Sequence, residues 1–177
     1  MLTFLSTVTK YDTLAFCWCM SRKRAAKIAA ISRIFSRIGD GYIYALLGLA
    51  LLILEEKYGT QFLYTGLLAF TIELPIYLVC KNLIRRQRPG DAITGFNAFL
   101  VPSDKFSFPS GHTAAAFLMA DLAGFYYPEF VIISFVMASL IGISRVLLGV
   151  HYPSDIAAGI FVGLLSSNFA IAIIDKI

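Results

Sequence analysis

The chain has 177 residues, of which 58% are hydrophobic and 15% are charged, and its mean hydropathy is +0.76. A soluble domain of this size must expose a large share of its residues to water, so this composition excludes an ordinary soluble fold. The net charge of +4 could suit nucleic acid. However, the basic residues gather at the ends of apolar segments, which favours a membrane surface and no nucleic-acid partner.

Residues 1–40 predict a separate N-terminal segment. Between Arg22 and Arg37, isoleucines recur at three- and four-residue steps among six basic residues. An apolar face beside a basic face is typical of an amphipathic helix that lies in the membrane interface. Residues 11–20 could add a short buried or re-entrant piece, and a sixth membrane span is the open alternative.

Residues 41–177 predict an all-α bundle of membrane helices. A spanning helix needs roughly 20 apolar residues, or fewer where the bilayer thins. Five apolar segments approach this length: 41–54, 58–80, 110–127, 129–148 and 154–174. The fold class is therefore a multi-pass transmembrane bundle of about five to six helices.

The connection 85–109 is the one long loop between these segments. Loops of this length in compact domains are usually functional, and this one is rich in arginine, proline and aromatic residues. Successive spans alternate direction, so four segment ends emerge on one side of the membrane. These are the end of the second segment, the start of the third, the end of the fourth and the start of the fifth. Three polar motifs occupy those four ends.

The first motif is KNLIRRQRP, in which Lys81 and Arg88 are seven residues apart. Two turns of one helix would place both cations on nearly the same face, and Pro89 would then end that helix. Two aligned cations can bind an anion from adjacent sides. For this motif alone, cations that snorkel at a helix end are the preferred explanation.

The second motif is PSGH at residues 109–112. Ser110 is placed to be the N-cap of the next helix, and Gly111 allows close backbone approach. The free amide groups of a helix start bind anions, and His112 in the first turn could donate a proton to a bound phosphate. A helix cap followed by an incidental histidine is the competing explanation.

The third motif is SRVLLGVHYPSD, which contains Ser144, Arg145, His151 and Asp155. Pro153 suits the first turn of the following helix, so His151 lies just before that helix and within reach of Asp155. A carboxylate on one imidazole nitrogen leaves the other free to act as a nucleophile. Alternatively, the aspartate only caps the helix.

The three motifs are more informative together than singly. The chain has two histidines, and both fall at the same predicted membrane face beside three cations. Ionisable groups at this depth are costly unless they are paired or functional. We therefore expect one anion-binding catalytic site at that face.

In this order the motifs resemble the signature of the type 2 phosphatidic acid phosphatases, the PAP2 superfamily, which is K-x6-R-P, P-S-G-H and S-R-x5-H-x3-D. The chain matches each part, with Lys81 to Arg88-Pro89, Pro109-Ser110-Gly111-His112, and Ser144-Arg145 to His151 and Asp155. The resemblance covers nearly the whole helical region. The first forty residues carry no comparable motif.

The resemblance implies a metal-independent phosphatase that uses no cofactor. His151 would attack phosphorus and form a phosphohistidine, Asp155 would orient it, and His112 would protonate the leaving oxygen and then activate water. The phosphoryl oxygens would be held by Lys81, Arg88, Ser110, Gly111 and Arg145. The implied substrate is a lipid phosphate, such as phosphatidate, phosphatidylglycerophosphate or undecaprenyl pyrophosphate.

Two other functions remain open at the level of sequence. A lipid-to-lipid phosphotransferase would use identical residues, with a lipid acceptor in place of water. A membrane scaffold or transporter would have no need of this constellation. Which lipid is the substrate, and the oligomeric state, are not indicated.

The side of the membrane is indicated in two conflicting ways. Most basic residues outside the spans lie on the active face, which by the positive-inside rule would be cytoplasmic. The family resemblance implies instead the periplasmic face of a bacterial inner membrane, and we favour it.

Two acids, Glu73 and Asp121, fall inside predicted spans. They could line a polar cavity, be protonated and hydrogen-bonded to neighbouring helices, or only fix the packing.

Overall fold

The computed structural model describes residues 2–21 and 25–176, and over these ranges the chain is helical with no strand. Arg22, Lys23 and Arg24 of the predicted amphipathic helix lie outside the described residues. The helices are α1 (Leu2–Met20), α2 (Ala25–Ile38), α3 (Gly41–Leu54), α4 (Gly59–Ile84), α5 (Pro89–Ala92), α6 (Gly111–Tyr126), α7 (Val131–Leu147) and α8 (Pro153–Ile174), with a 3-10 turn at Pro128–Phe130.

Helix α6 lies at the centre of the bundle and packs against α4, α7 and α8. Its Ala114, Leu118 and Leu122 are fully buried. Small residues let the backbones approach, as is common between membrane helices. A Cβ at Gly159 of α8 would lie 2.6 Å from the carbonyl oxygen of Ser110, so only glycine fits there.

Two polar clusters define the two ends of the bundle. At one end, Tyr127 donates a hydrogen bond of 2.8 Å to Glu55, which joins the end of α6 to the α3–α4 turn. At the other end, the amide of Ser110 donates to the carbonyl oxygen of Asp155 at 3.0 Å, which joins the starts of α6 and α8. Consecutive long helices therefore run in opposite directions, and the three sequence motifs lie at one end, which we call the active end.

Within residues 2–21 and 25–176, three stretches are long and apolar enough to cross a membrane: Gly59–Ala92, Pro128–Leu147 and Pro153–Ile174. A fourth is reached if Lys27–Ile38 and Gly41–Leu54, which are bent by 45° at their junction, form one broken span. The chain is thus an integral membrane protein built of helices. The central α6 has only 16 residues and is enclosed by its neighbours.

The first two helices pack onto the active end. Phe16 of α1 is 1% exposed and makes an edge-to-face contact of 5.1 Å with Phe96 in the long connection. Helix α2 packs on α7 and buries Ala29 and Ser32, while its Ile31 is 58% exposed. This leaves apolar side chains of α2 on the outside of the bundle.

The two intramembrane acids have different surroundings. Asp121 accepts hydrogen bonds from Ser167 at 2.6 Å and Asn168 at 2.9 Å, both on α8. These bonds join Asp121 to a neighbouring helix, and such bonding is part of one of the three alternatives that the sequence left open. Glu73 is buried on α4 at 5% exposure.

Candidate active site

The cations of the first motif meet at one carboxylate. The Nζ atom of Lys81 lies 2.6 Å from Oδ2 of Asp104, Arg88 donates through Nη2 to Oδ1 of the same group, and Tyr77 donates to Oδ2 at 2.9 Å. Burial raises the pKa of Asp104, but the hydrogen bonds and charges of Lys81 and Arg88 outweigh burial and lower it to about 2. Asp104 is therefore ionised at neutral pH.

The prediction that Lys81 and Arg88 share one continuous helix is wrong. Helix α4 ends at Ile84, because Arg85 adopts the left-handed conformation with φ 48°. Arg88 precedes Pro89 and is extended, with ψ 157°, as the residue before a proline prefers. The two cations converge through the turn rather than through helical periodicity.

His151 lies directly beside Arg88. Its Nε2 atom is 3.4 Å from Nη1 of Arg88, which also donates to the carbonyl oxygen of Val150 at 2.6 Å. On the other side of the ring, Nδ1 is 3.6 Å from Oδ2 of Asp155, slightly beyond hydrogen-bond length. His151 is 2% exposed, and Nδ1 has no hydrogen-bond partner in the described part of the chain.

Burial lowers the pKa of His151 to about 4, assisted by the charges of Arg88 and Arg145 and opposed by Asp155. The imidazole is thus neutral at pH 7. In a neutral imidazole whose Nδ1 faces a carboxylate, the proton is on Nδ1. The Nε2 atom, which lies on the side of Arg88, is then unprotonated. That atom has the chemistry of a nucleophile.

The turn before His151 depends on Gly149. This residue has φ 79°, and a Cβ on it would lie 2.7 Å from the ring of Phe96. A side chain at this position would be strained both by the backbone conformation and by this contact.

Asp155 is held by partners that the sequence analysis did not identify. Its Oδ2 accepts from the amide of Tyr152 at 2.8 Å, and its Oδ1 accepts from Nη1 of Arg86 at 2.8 Å. Arg86 also binds Asp12 of α1 at 2.7 Å. Asp12 in turn accepts from the amide of Ser154 at 3.1 Å, so one buried network fixes the carboxylate that faces His151.

The start of α6 supplies hydrogen-bond donors. Ser110 is the N-cap residue, as predicted, but its side chain makes no capping bond and accepts from Thr113 at 2.9 Å. Ser110 is fully buried, and its own hydroxyl proton has no acceptor among the residues that the structure describes. Gly111 is the first residue of the helix, so its amide has no partner within the helix.

The remaining predicted residues, His112 and Arg145, line one cleft at the active end. Nε2 of His112 lies 3.1 Å from Oδ1 of Asp40, and Arg145 donates through Nη1 to Ser36 of α2. The charge of Arg145 acts on both imidazole rings.

Sequence reasoning missed several polar residues at this end, namely Asp12, Ser36, Asp40, Tyr77, Arg86 and Asp104. One signal was available for two of them: Asp12 and Asp40 are the only acids in residues 1–40. Among the residues that the structure describes, no group of three or more His, Cys, Asp and Glu side chains could hold a metal ion.

Comparison with known proteins identifies the family of the chain. The family profile described as the PAP2 superfamily matches residues 58–177, which is more than half of the chain. The chain belongs to the PAP2 superfamily. The match begins at the start of α4 and contains all three motifs, so α1, α2 and α3 precede the matched PAP2 region.

Several similar proteins carry the names of lipid phosphatases. The chain is 39% identical over 125 residues to decaprenylphosphoryl-5-phosphoribose phosphatase of Mycobacterium tuberculosis, covering 68% of this chain and 64% of the relative. It is 36% identical over 110 residues to phosphatidylglycerophosphatase B of Bacillus subtilis, covering 56% and 51%. The chain thus spans less than two thirds of the length of these curated relatives.

Solved PAP2 structures share the fold. LpxE of Aquifex aeolicus superposes with a TM-score of 0.76 at 26% identity, over 89% of this chain and 93% of that one. The PAP2-type phosphatidylglycerolphosphate phosphatase of Bacillus subtilis superposes with a TM-score of 0.74 at 26% identity, over 97% and 88%.

Proposed function

We propose that this protein is a membrane phosphatase that hydrolyses the phosphate ester or pyrophosphate of a lipid through a phosphohistidine on His151. The observation that carries the proposal is that His151 lies between Arg88 and Asp155, with all three side chains buried, at one end of the helix bundle. The relatives named as lipid phosphatases support the substrate class.

In the first step, Nε2 of His151 attacks phosphorus and the bond from phosphorus to the leaving oxygen breaks. His112 gives its proton to that oxygen, and the positive charge that develops on His151 is stabilised by Asp155. The phosphoryl oxygens are bound by Lys81, Arg88, Ser110, Gly111 and Arg145. Catalysis of this transfer is mostly positioning and electrostatics, which fixed cations in a buried site supply.

In the second step, water attacks the phosphohistidine. His112, now neutral, accepts a proton from the water, and the phosphorus–nitrogen bond breaks with its electron pair returning to Nε2 of His151. Inorganic phosphate leaves and the starting protonation states are restored. Asp40 is placed to stabilise the protonated form of His112 in both steps.

The experiment that tests this function is phosphate release by the purified protein from phosphatidate, phosphatidylglycerophosphate and isoprenyl diphosphates, with a chelator present. We expect chelator-resistant release that orthovanadate inhibits, because side chains and amide groups supply the phosphate-binding charge. A strict requirement for added magnesium would contradict the mechanism. Appearance of phosphate on an added lipid alcohol instead of in solution would identify a phosphotransferase.

Five spans, formed by α3, α4, α6, α7 and α8, are proposed for the bundle, with α2 in the interface and the active end at the periplasmic face of a bacterial inner membrane. The alternation of direction between the two polar ends supports this topology.

Thr94 is exposed in the long connection. In a chain whose native cysteines are replaced by serine, we expect Thr94→Cys to react in intact cells with a membrane-impermeant thiol reagent. Labelling only after cell lysis would place the site in the cytoplasm.

The carboxylate of Asp104 forms ion pairs with Lys81 and Arg88, the two cations that bind the phosphoryl group in the proposed mechanism. The substrate must therefore displace this carboxylate. Replacing Asp104 with Asn removes a competing negative charge, and we expect orthovanadate to inhibit about tenfold more tightly, which corresponds to about 1.4 kcal/mol. The control is Asp91→Asn, an exposed acid of the same connection, which should leave inhibition unchanged. Weaker inhibition in Asp104→Asn would show that the carboxylate holds the cations in place rather than competing with phosphate.

A further inference from the structure

The cleft at the active end extends from two residues of the proposed chemistry, His112 and Arg145, toward helix α2. Its volume is about 380 Å³, within the usual range of roughly 300–1,000 Å³ for small-ligand sites. The last turns of α2 form one wall and residues 100–103 of the long connection form the other. The polar residues that line the cleft are Arg33, Ser36, Arg37, Asp40, Ser103, His112 and Arg145.

The charges of this cleft favour an anion. Of the residues that the structure describes, three arginines line the cleft against one carboxylate, Asp40, and that carboxylate already has His112 as a partner. Arg145 is 5% exposed, and its Nε atom has no hydrogen-bond partner among the residues that the structure describes. Arg33 uses one donor on the carbonyl oxygen of Phe99, and Arg37 is exposed at the cleft. Arginine side chains with donors to spare are suited to phosphate oxygens.

The position of the cleft relates it to the leaving group. His112, which gives its proton to the leaving oxygen in the proposed mechanism, lines the cleft, whereas His151 does not. The part of the substrate that departs with that oxygen therefore lies on the side of α2. An anionic group close to the leaving oxygen would face Arg33 and Arg37.

We infer that the cleft binds a phosphoryl group carried by the leaving group, and that Arg37 gives preference to substrates whose released part bears its own phosphate. This inference rests on the proposed function and names its substrate class. Bilayer headgroups offer the same chemistry, because basic residues of an interfacial helix attract anionic lipids. The two sources of phosphate predict different results when the substrate and the surrounding lipid are varied separately.

The test compares farnesyl diphosphate with farnesyl monophosphate in neutral detergent micelles. The two differ by one phosphoryl group, and hydrolysis of the diphosphate releases farnesyl monophosphate, an anionic leaving group. We expect Arg37→Gln to lower kcat/KM for the diphosphate on the order of tenfold, as for a lost hydrogen bond to a charged group, and to change the monophosphate value less than about twofold. Arg37→Lys should retain most of the preference, because the charge remains.

Lys27→Gln is the matched control, since Lys27 is an exposed cation of the same helix that does not line the cleft. It should leave both substrates unaffected. An unchanged ratio in Arg37→Gln would overturn the inference. So would equal losses on both substrates that appear only when anionic lipid is added, because they would assign Arg37 to the bilayer. If the wild-type protein releases phosphate from neither substrate nor from phosphatidate, the proposed function itself fails.

Discussion

His151→Ala is expected to abolish phosphate release, with kcat reduced by at least about 10³-fold, as for loss of a nucleophile. The reason lies in the surroundings of the imidazole. Burial lowers its pKa to about 4 and so keeps the ring neutral. Its Nε2 atom lies beside Arg88, one of the cations of the proposed phosphoryl site. Initial rates on a lipid phosphate and on p-nitrophenyl phosphate measure the loss. Both should fall, because the same atom attacks phosphorus in either substrate.

His112→Ala separates the two imidazoles. The nitrophenolate leaving group needs little protonation, so this variant should still form the phosphohistidine from p-nitrophenyl phosphate but hydrolyse it slowly, since the base that activates water is gone. We expect a burst of one nitrophenolate per protein and an acid-labile phosphate on His151. If His151→Ala also shows the burst, the covalent intermediate lies elsewhere and the proposed roles are wrong.

The motif residues could be placed from sequence because each lies at the end of an apolar segment. Ser110 at the start of α6 and Asp155 in the first turn of α8 follow from where hydropathy changes, and alternation of direction then brings those ends together. Family membership was predictable for the same reason, since the spacings of the motifs are local. The seven-residue spacing from Lys81 to Arg88 led to the wrong prediction of one continuous helix. Helical periodicity in the sequence does not indicate that Arg85, between them, adopts the left-handed conformation.

The support of the site could not be predicted, because it depends on how distant helices pack. Asp12 binds Ser154 across 142 residues of sequence, and Ser36 binds Arg145 across 109. No spacing rule applies at such distances. The sequence indicated only a short buried or re-entrant piece around Asp12 and an interfacial helix around Ser36. Asp12 and Ser36, whose side chains contact residues of the third motif, lie before residue 40, whereas the motifs lie after it. The predicted domain boundary at residue 40 therefore runs between the motifs and these supporting side chains.

The same buried network leads to the largest expected effect on stability, which is that of Arg86→Ala. Arg86 bridges Asp12 and Asp155, and these side chains are 12%, 8% and 0% exposed. Removing the cation leaves two buried carboxylates uncompensated, which costs roughly 3–5 kcal/mol. We expect the Tm in detergent to fall by about 10 °C. Thermal unfolding followed by circular dichroism measures the change.

Arg85→Ala is the matched control, because Arg85 is the adjacent arginine but is exposed, with one hydrogen bond from its Nε to the carbonyl oxygen of Asn82. Its Tm should stay within about 2 °C of wild type, since exposed side chains contribute little. Adding Asp12→Asn to Arg86→Ala should recover part of the lost stability, because one of the two stranded charges is removed. The recovered fraction measures how much of the penalty comes from Asp12 and how much from Asp155, the carboxylate that faces His151. Equal Tm values for the two single arginine variants would mean that water or lipid headgroups compensate both acids.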